Sequence, residues 1–301
     1  MDDKGIGTAY HFTPGDGWTL GNLDFFTVPQ KQFTADEHDI WRTLYKRQLD
    51  VLPKRAIGLF MDSLSTLGIA QDRIPGFDEV NEILLKRTGW QVVAVPGLIP
   101  DEPFFELLAN RRFPAGNFIR TRDQLNYIQE PDVFHDLFGH VPILADPVFG
   151  DYMEAYGKGG LKAAKLGTID KLARLYWYTV EFGLIQEPQG LRIYGAGILS
   201  SPTESVFSLT DSSPHRIQFN LERVLQTRFR IDDFQDNYFI IDGFKQLFDE
   251  TYEDFTPLYA QLAGKPEYEA GTLVAGDGVV HKGTGTYAVE ADKRRKARVG
   301  K

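Results

Sequence analysis

One stretch of the sequence must lie inside the folded protein, and yet it carries a charged side chain. Residues 175–184 read Leu-Tyr-Trp-Tyr-Thr-Val-Glu-Phe-Gly-Leu, with apolar or aromatic side chains on nearly every side of a helix. A helix that is apolar all round is buried, and a buried carboxylate without a partner costs roughly several kcal/mol. Arg174 lies seven residues before Glu181, too far for an (i, i+4) ion pair. The fold must therefore bring a partner to Glu181 from elsewhere.

Two histidines form the second unusual feature. The chain has six histidines, and His135 and His140 are five positions apart. On a straight α-helix, residues five apart point about 140° away from each other. Gly139 and Pro142 disfavour a straight helix here, because glycine permits a left-handed cap and proline cannot continue the hydrogen-bond ladder. We expect a short helix that begins near Pro131 and carries His135 inward, with His140 brought round near its end.

Together, these histidines and Glu181 offer two imidazoles and one carboxylate, the ligand set of non-haem Fe(II) oxygenases. In zinc proteases the histidines are four apart and a glutamate follows the first. Two alternatives remain open: a zinc hydrolase that activates water with the same ligands, or hydrogen-bonded core histidines with Glu181 paired to an arginine. Asp132, three residues before His135, is predicted either to bond the second nitrogen of a ligand imidazole or to be a helix-start acid.

Composition excludes several classes of function. A net charge of −9 and a pI near 5.2 argue against a nucleic-acid or anionic-membrane partner. The chain has no cysteine, which removes disulfides, thiolate metal sites and thiol nucleophiles. It has no run of about 18 uncharged apolar residues, and Met1–Lys4 lacks the features of a secretory signal. These observations predict a soluble, cytoplasmic protein.

The spacing of apolar residues predicts a mainly α-helical, single-domain fold with minor short β strands. With 301 residues and 42% hydrophobic content, the chain can bury a sizeable core. No repeat or linker divides residues 1–265, whereas residues 266–301 are expected to form an extended or partly disordered tail. Helices are predicted at 35–52, 55–67, 78–87, 104–109, 168–184, 216–228 and 242–262, with a strand at 90–95 and a loop at 111–117.

Four segments of the chain resemble the aromatic amino acid hydroxylases, the pterin-dependent family of phenylalanine, tyrosine and tryptophan hydroxylases. They are the segment Tyr127-Ile128-Gln129-Glu130-Pro131-Asp132, the His135/His140 motif, residues 176–183 (Tyr-Trp-Tyr-Thr-Val-Glu-Phe-Gly) and residues 194–201 (Tyr-Gly-Ala-Gly-Ile-Leu-Ser-Ser). The resemblance extends over roughly residues 25 to 260. It implies the fold of the family's catalytic domain over residues 1–265, with Fe(II) bound by His135, His140 and Glu181.

The resemblance also implies a site for a tetrahydropterin. The stretch from Val95 to Phe104 is similar to the family's pterin-binding segment, where backbone groups bond to the pterin edge and the Phe104 ring stacks on the bicycle. Asp136 stands where the animal enzymes have a glutamate, and this shorter acid is expected to act through water. The pterin-binding residues implied are Gly97, Leu98, Ile99, Asp101, Phe104, Asp136 and Tyr176.

For the amino acid substrate, the resemblance assigns Arg120 to the carboxylate, a role suited to a planar, bidentate donor. Ser200 resembles a serine that hydrogen-bonds a ligand histidine. In the family, apolar residues form walls around the substrate ring, and the positions that resemble them here are Pro131, Trp177 and Phe182. The substrate-binding residues implied are Arg120, Ile128, Pro131, Trp177, Phe182, Gly197, Ser200 and Ile231.

The activity implied is that of a phenylalanine 4-monooxygenase, which converts L-phenylalanine to L-tyrosine with Fe(II), a tetrahydropterin and O2, through a peroxypterin and a ferryl oxygen. Ile231 aligns with an acid of tyrosine hydroxylases, and an apolar residue there favours phenylalanine. Ile128 replaces a threonine of animal members, which affects the contact with the substrate backbone. The alternatives are tyrosine or tryptophan hydroxylase, a zinc hydrolase and a non-catalytic protein that binds a metal and an aromatic ligand.

The same resemblance carries an expectation about assembly. The chain leaves no room for the regulatory domain of animal members, and its C-terminus has no heptad pattern for tetramerisation. We therefore expect a monomer that resembles the compact bacterial enzymes and is not regulated by substrate at a second site.

Overall fold

Helix α1 shows how the sequence sets the ends of the helices. It begins at a capping box, in which the Glu37 amide donates to the Thr34 hydroxyl and the Thr34 amide donates to the Glu37 carboxylate. The computed structural model describes residues 17–299, with side chains up to residue 291 and at residue 293. The α-helices in this range are α1 (Ala35–Val51), α2 (Gly58–Thr66), α3 (Phe77–Thr88), α4 (Asp101–Ala109), α5 (Pro147–Leu166), α6 (Ile169–Tyr176), α7 (Ala196–Leu199), α8 (Pro202–Thr210), α9 (Leu221–Leu225), α10 (Phe244–Thr251), α11 (Thr256–Leu262) and α12 (Thr286–Val299).

The strands of the described residues are short and form two sheets. In the smaller sheet, β1 (Gln91–Val95) pairs in parallel with β2 (Arg112–Gly116). The larger sheet has the order β4-β3-β6-β5-β7. Its strands are β3 (Leu184–Glu187), β4 (Gly190–Ile193), β5 (His215–Gln218), β6 (Asn237–Ile241) and β7 (Val279–His281). The prediction of a mainly helical fold with minor strands is confirmed.

Three predicted elements were wrong in type or extent. Residues 112–116 form β2 instead of a loop, and the helix predicted at 216–228 is divided into β5 and α9. In the second case β5 pairs with β6, and the Asn220 side chain accepts from the Arg223 amide to start a new helix. The helix predicted at 242–262 is two helices, α10 and α11. Strand pairing and capping overrode the local helical spacing.

Helix α5 is not predicted from the sequence because its four glycines weaken the helical signal. The structure shows what two of them do. A Cβ atom at Gly157 would overlap the α4 backbone, and one at Gly160 would overlap the Phe105 ring. Glycine therefore lets α5 pack closely on α4, next to the cavity that Phe104 and Phe105 line.

Aromatic rings fill the core beneath the two histidines. Phe134 and Phe138 are fully buried and stack with centroids 4.8 Å apart. Trp41 packs against Phe134 at 5.2 Å, and Phe60 packs against Phe138 at 5.5 Å. These rings fix the segment that carries His135. No helix among residues 17–299 combines the length and the apolar character needed to cross a membrane.

The tail that was expected to be extended or partly disordered contributes regular structure. β7 joins the larger sheet beside β5, and α12 follows it. Arg223 is buried and forms an ion pair of 2.9 Å with Asp277 of the tail. The domain boundary at residue 265 stays a prediction, and the N-terminal segment Met1–Lys4 lies outside the described residues.

Candidate metal centre and its two cavities

The segment that carries both histidines is a π-helical turn, His135–His140. A π-helix forms i→i+5 hydrogen bonds, and the Val141 amide donates to the Asp136 carbonyl at 3.2 Å in this way. Residues five apart then lie near the same face, so both imidazoles point to one centre. The expected short helix is present. However, His140 is turned towards His135 by the π-helical geometry and not by a left-handed glycine cap, as was expected. Gly139 is needed for another reason: a Cβ atom there would lie 2.9 Å from the Ala196 carbonyl oxygen.

Glu181 lies on a second π-helical turn, Trp177–Glu181, which continues directly from α6. The Phe182 amide closes this turn by donating to the Trp177 carbonyl at 2.9 Å. The helix predicted to reach Leu184 therefore ends at Glu181, and Leu184 begins β3. Both segments that bring ligands to the centre depart from α-helical geometry, a feature common at functional sites.

The three side chains meet. His135 Nε2 lies 3.0 Å from His140 Nε2 and 3.5 Å from a carboxylate oxygen of Glu181. His140 Nε2 lies 3.1 Å from the other Glu181 oxygen. One ligand atom from each residue lies within 4.8 Å of the others, and this is the cluster of metal-ligating groups in the described part of the chain. The partner that the burial of Glu181 demanded is this pair of histidines; Arg174 pairs instead with Glu267, at 2.9 Å.

Ser200 fixes the orientation of the His135 ring. Its hydroxyl lies 2.9 Å from His135 Nδ1 and also donates to the Ala196 carbonyl at 2.9 Å. Since the hydroxyl proton is used on Ala196, the Ser200 oxygen accepts the proton of Nδ1. The lone pair of Nε2 then faces Glu181 and the centre, which is the tautomer that a metal ligand requires.

Asp132 does not take the role of bonding an imidazole nitrogen. Its carboxylate accepts from the His135 backbone amide at 3.1 Å and from the Arg120 guanidinium at 2.8 and 2.9 Å. It is therefore the helix-start acid of the two alternatives, with an arginine added. Burial opposes the charge of Asp132, but the bonds from Arg120 hold the pKa of that carboxyl below its usual value. The second nitrogen of the His135 ring is bonded by Ser200, as the resemblance implied.

The two acids at the centre, Glu181 and Asp136, differ in the direction of their pKa shifts. Burial alone would raise the pKa of Glu181, but His140 and His135 lower it well below its usual value. Burial raises the pKa of the nearby Asp136 carboxyl to about 6. Asp136 accepts from the Gly116 amide at 2.7 Å. Glu181 is thus the anionic group among the three candidate ligands.

One cavity opens from the centre towards β1, β2 and α4. It is lined by every residue for which the resemblance implied a pterin contact: Gly97, Leu98, Ile99, Asp101, Phe104, Asp136 and Tyr176. The Phe104 ring is partly buried and lies edge-on to Tyr176, with centroids 5.9 Å apart. The backbone of residues 97–99 and this ring offer polar edges beside a flat apolar face. That combination suits a planar, polar bicycle.

A second cavity opens on the other side of His135 and Glu181. Its lining includes all eight residues that were predicted to bind the amino acid: Arg120, Ile128, Pro131, Trp177, Phe182, Gly197, Ser200 and Ile231. Ile231 lies at the rim and is 58% exposed, so it does not form a closed wall. Arg120 is 7% exposed. Its Nε and Nη2 atoms bond to Asp132, while Nη1 makes no hydrogen bond with any described residue.

Three lining or supporting residues were missed by the sequence reasoning. Phe229 stacks on Trp177 with centroids 4.5 Å apart, and Phe182 lies 4.8 Å from the same ring. Gln235 accepts from the Trp177 indole N–H at 2.9 Å. Glu204 is buried and accepts from the Tyr238 hydroxyl at 2.8 Å. No local pattern marks these residues, because their partners are distant in sequence: Phe229 and Gln235 contact Trp177, and Glu204 contacts Tyr238.

Comparison with known proteins agrees with this geometry. The sequence model described as biopterin-dependent aromatic amino acid hydroxylase matches residues 25–260. The phenylalanine-4-hydroxylase of Ralstonia nicotianae is 60% identical over 269 residues, which cover 89% of this chain and 86% of that protein. The crystal structure of Chromobacterium violaceum phenylalanine hydroxylase with iron(III) and oxidized cofactor 7,8-dihydrobiopterin is 56% identical, with a TM-score of 0.82, covering 86% of this chain and 94% of that one. A structure of the same enzyme with iron and phenylalanine bound is 56% identical, with a TM-score of 0.81, covering 85% and 94%.

Proposed function

Since this chain belongs to the biopterin-dependent aromatic amino acid hydroxylases, we propose that it is a phenylalanine 4-monooxygenase. It hydroxylates L-phenylalanine to L-tyrosine with O2, Fe(II) and a tetrahydropterin. The observation that carries the proposal is the meeting of two differently lined cavities at His135, His140 and Glu181. One cavity suits a planar polar bicycle and the other an aromatic amino acid, so both substrates reach the same centre.

The donor set fits Fe(II). Two imidazole nitrogens and one carboxylate lie close enough to bind one ion, and both cavities border the residues that carry them. Ser200 holds His135 in the metal-binding tautomer, and the Glu181 anion offsets part of the charge of a divalent ion. Bound Fe(II) and the pterin together supply the activation of O2, in which one oxygen atom goes to the substrate and the other to the pterin. The activity of a zinc hydrolase would not account for the cavity that Phe104 and Tyr176 line, because hydrolysis uses no pterin.

In the amino acid cavity, the guanidinium of Arg120 binds the substrate carboxylate. Asp132 occupies Nε and Nη2 of this arginine, which holds the plane of the guanidinium and leaves Nη1 directed to the ligand. The substrate ring lies between Pro131 and the Trp177–Phe182 pair. These walls exclude water and present the ring to the centre. Ile231 contributes little to selecting phenylalanine, because its side chain is largely exposed.

In the other cavity, the backbone of Gly97, Leu98 and Ile99 bonds to the pterin edge, and the Phe104 ring packs on its face. Asp136 is held by the Gly116 amide, so its free oxygen contacts the pterin through water. The Tyr176 ring closes the cavity beside Phe104. These residues would hold a tetrahydropterin in one orientation beside the centre.

We also propose that the enzyme acts as a monomer in the cytoplasm. All three ligands and both cavity linings come from one chain, so catalysis needs no second subunit. Fe(II) and a tetrahydropterin are both reduced species, and a reducing compartment maintains them. The catalytic unit is assigned to residues 1–265.

The proposal is tested by loading the protein with Fe(II) without oxygen, adding a tetrahydropterin and phenylalanine, and then admitting air. Tyrosine should form in proportion to pterin oxidation. A zinc-loaded sample and a sample without pterin should form none; tyrosine formation in either would contradict the proposed chemistry. Phenylalanine binding without turnover in the Fe(II) sample would instead favour the non-catalytic alternative.

The ligand assignment is tested by Glu181→Ala. Removal of the only anionic ligand should lower tyrosine formation by about three orders of magnitude or more and weaken iron binding, since metal catalysis depends on the full ligand set. Glu82→Ala is the matched control, because Glu82 is exposed on α3, and it should keep full activity. Undiminished tyrosine formation by Glu181→Ala would overturn the assignment.

A further inference from the structure

The C-terminal segment lies outside residues 25–260, the part of the chain that the family model matches. Nevertheless, its Tyr287 contacts Asp233 and Phe234, which line the amino acid cavity. We propose that Tyr287 of this segment is a positioning residue for the aromatic wall of the cavity, acting through Asp233, Phe234 and Gln235 on Trp177. The proposal rests on the function proposed above and adds a residue that governs how well the substrate ring is held.

The first step is that the segment is tightly docked before Tyr287. The Gly283 amide donates to His215 Nδ1 at 2.8 Å, and the Thr284 and Gly285 amides donate to the carbonyls of Ser212 and Ser213 at 2.9 and 3.0 Å. A Cβ atom at Gly283 would overlap the backbone of Ser213, so glycine is required for this approach. The start of α12 is therefore fixed relative to β5.

The second step is the contact that Tyr287 makes with the rim of the cavity. Its hydroxyl donates to the Asp233 carboxylate at 2.6 Å. Its ring stacks on Phe234 with centroids 5.3 Å apart and meets Phe207 at 5.1 Å. Phe234 and Phe207 are themselves in contact at 4.7 Å. Tyr287 thus holds the rim by one charge-assisted hydrogen bond and an aromatic cluster.

The third step leads from the rim to the wall. Gln235 follows Phe234 directly, and its side-chain carbonyl accepts from the Trp177 indole N–H at 2.9 Å. The Gln235 amide group donates to the carbonyls of Arg230 and Asp233, so its orientation depends on the path of this loop. Trp177 packs against Phe182 and Phe229, and the bond to Gln235 fixes the direction of its indole N–H. Displacing Asp233 and Phe234 therefore turns the wall against which the substrate ring packs.

Tyr287→Phe removes the hydroxyl and keeps the ring. It should raise the KM for phenylalanine and the Kd of phenylalanine on the anaerobic Fe(II) protein by about 3- to 10-fold. The kcat should change less than about twofold, and the KM for the pterin should not change, because only binding of the amino acid is weakened. Asp233→Ala removes the acceptor of this bond and of the bond from the Phe234 amide, so it should raise the KM for phenylalanine at least as much, and adding Tyr287→Phe to it should raise that KM no further.

Two controls separate positioning from general stability. Asp233→Asn keeps the acceptor oxygen and should restore the KM to near that of the unmodified protein. Tyr252→Phe removes the hydroxyl of an exposed tyrosine, a hydroxyl that makes no hydrogen bond with any described residue, and it should change neither the KM nor the Kd for phenylalanine. A lower Tm with a lower kcat and an unchanged KM would show a merely structural role and overturn the proposal, as would an unchanged KM and Kd in Tyr287→Phe and Tyr287→Ala.

A readout that needs no turnover separates this proposal from the proposed function. The emission of Trp177 is obtained by subtracting the spectrum of the Trp177→Phe counterpart of each protein. Tyr287→Ala should shift that emission to longer wavelength, because the indole loses its fixed, partly buried position. If the unmodified protein forms no tyrosine, the function fails while the shift still supports the wall contact. If tyrosine forms and the emission is unchanged, the wall contact fails alone.

Discussion

At the Arg120–Asp132 pair, one carboxylate serves both the substrate and the metal side of the site. The Asp132 side chain is fully buried and bonds both the Arg120 guanidinium and the backbone amide of His135. A buried ion pair is costly to form and more costly to break, so its persistence here indicates a role beyond stability. It couples Arg120, which we propose binds the substrate carboxylate, to the segment that carries His135.

This coupling leads to a prediction for Arg120→Lys. An ammonium keeps the charge but cannot donate to Asp132 and to the substrate in the same forked geometry. The KM for phenylalanine should rise about tenfold, with the pterin KM unchanged. Arg122→Lys is the control, since Arg122 is half-exposed and pairs with Asp39 at the surface. Equal KM values in both variants and the unmodified protein would remove Arg120 from the substrate site.

Residue chemistry was the part of the site most open to prediction. The buried acid and the paired histidines were visible in the sequence, because metal ligation imposes both residue type and burial. The partner of the imidazole was harder to predict: helical position made Asp132 a candidate, and Ser200, which bonds His135 in the structure, was implied by the family resemblance alone. Ile231 shows the same limit, since sequence similarity does not indicate whether a residue lies at the exposed rim of the cavity or in its buried wall.

Among the secondary-structure elements, the two π-helical turns could not be predicted from the sequence. Helical spacing in the sequence marks a helix, but it does not distinguish i→i+4 from i→i+5 hydrogen bonds. The His135–His140 turn also depends on α7, whose Ala196 carbonyl lies where a side chain at residue 139 would be. The turn is therefore stabilised by tertiary contacts as well as by its own sequence.

Gly139→Ala tests this dependence. The added methyl group would lie 2.9 Å from the Ala196 carbonyl oxygen, so α7 or the π-helical turn must shift. Because Ser200 follows α7 and bonds His135, we expect iron affinity to fall about tenfold or more, the range for disturbed outer partners of a ligand histidine. Gly159→Ala is the control, since a methyl group there meets nothing within 4 Å. Iron titration by isothermal calorimetry would measure both, and equal affinities would show that the turn accommodates a side chain.

Across the molecule as a whole, the C-terminal segment forms ion pairs with helices that are distant from it in sequence. Its composition predicted a loose tail, because it shifts there to glycine, valine, threonine and lysine. The structure instead pairs Glu267 with the buried Arg174 on α6, and Asp277 with the buried Arg223 on α9. Such contacts join residues more than 50 positions apart, for which local patterns carry no information. Order in this segment comes from these partners and not from its own propensity.

The Glu267 cluster makes the stability of the whole protein depend on pH. Burial opposes its charge, but the neighbouring Arg228, Arg174 and Lys171 lower the pKa of the Glu267 carboxyl from 4.5 to about 2. A carboxyl whose pKa is lower in the folded state stabilises the fold above its unfolded value, and this contribution is lost as the pH falls from about 4.5 towards 2. Glu267→Gln should therefore lower the free energy of unfolding at pH 7 by about 1–3 kcal/mol.

The difference in stability between Glu267→Gln and the unmodified protein should stay constant from neutral pH to about pH 5 and narrow below it. Urea unfolding at a series of pH values measures this difference directly. Glu269→Gln is the matched control, because Glu269 also bonds Arg228 but is 73% exposed, so its removal should cost little at any pH. A difference that stays constant through acid pH would mean that Glu267 acts by packing alone. A smaller difference at acid pH would establish that the charge of Glu267 stabilises the contact between the C-terminal segment and α6, the helix that leads to Glu181.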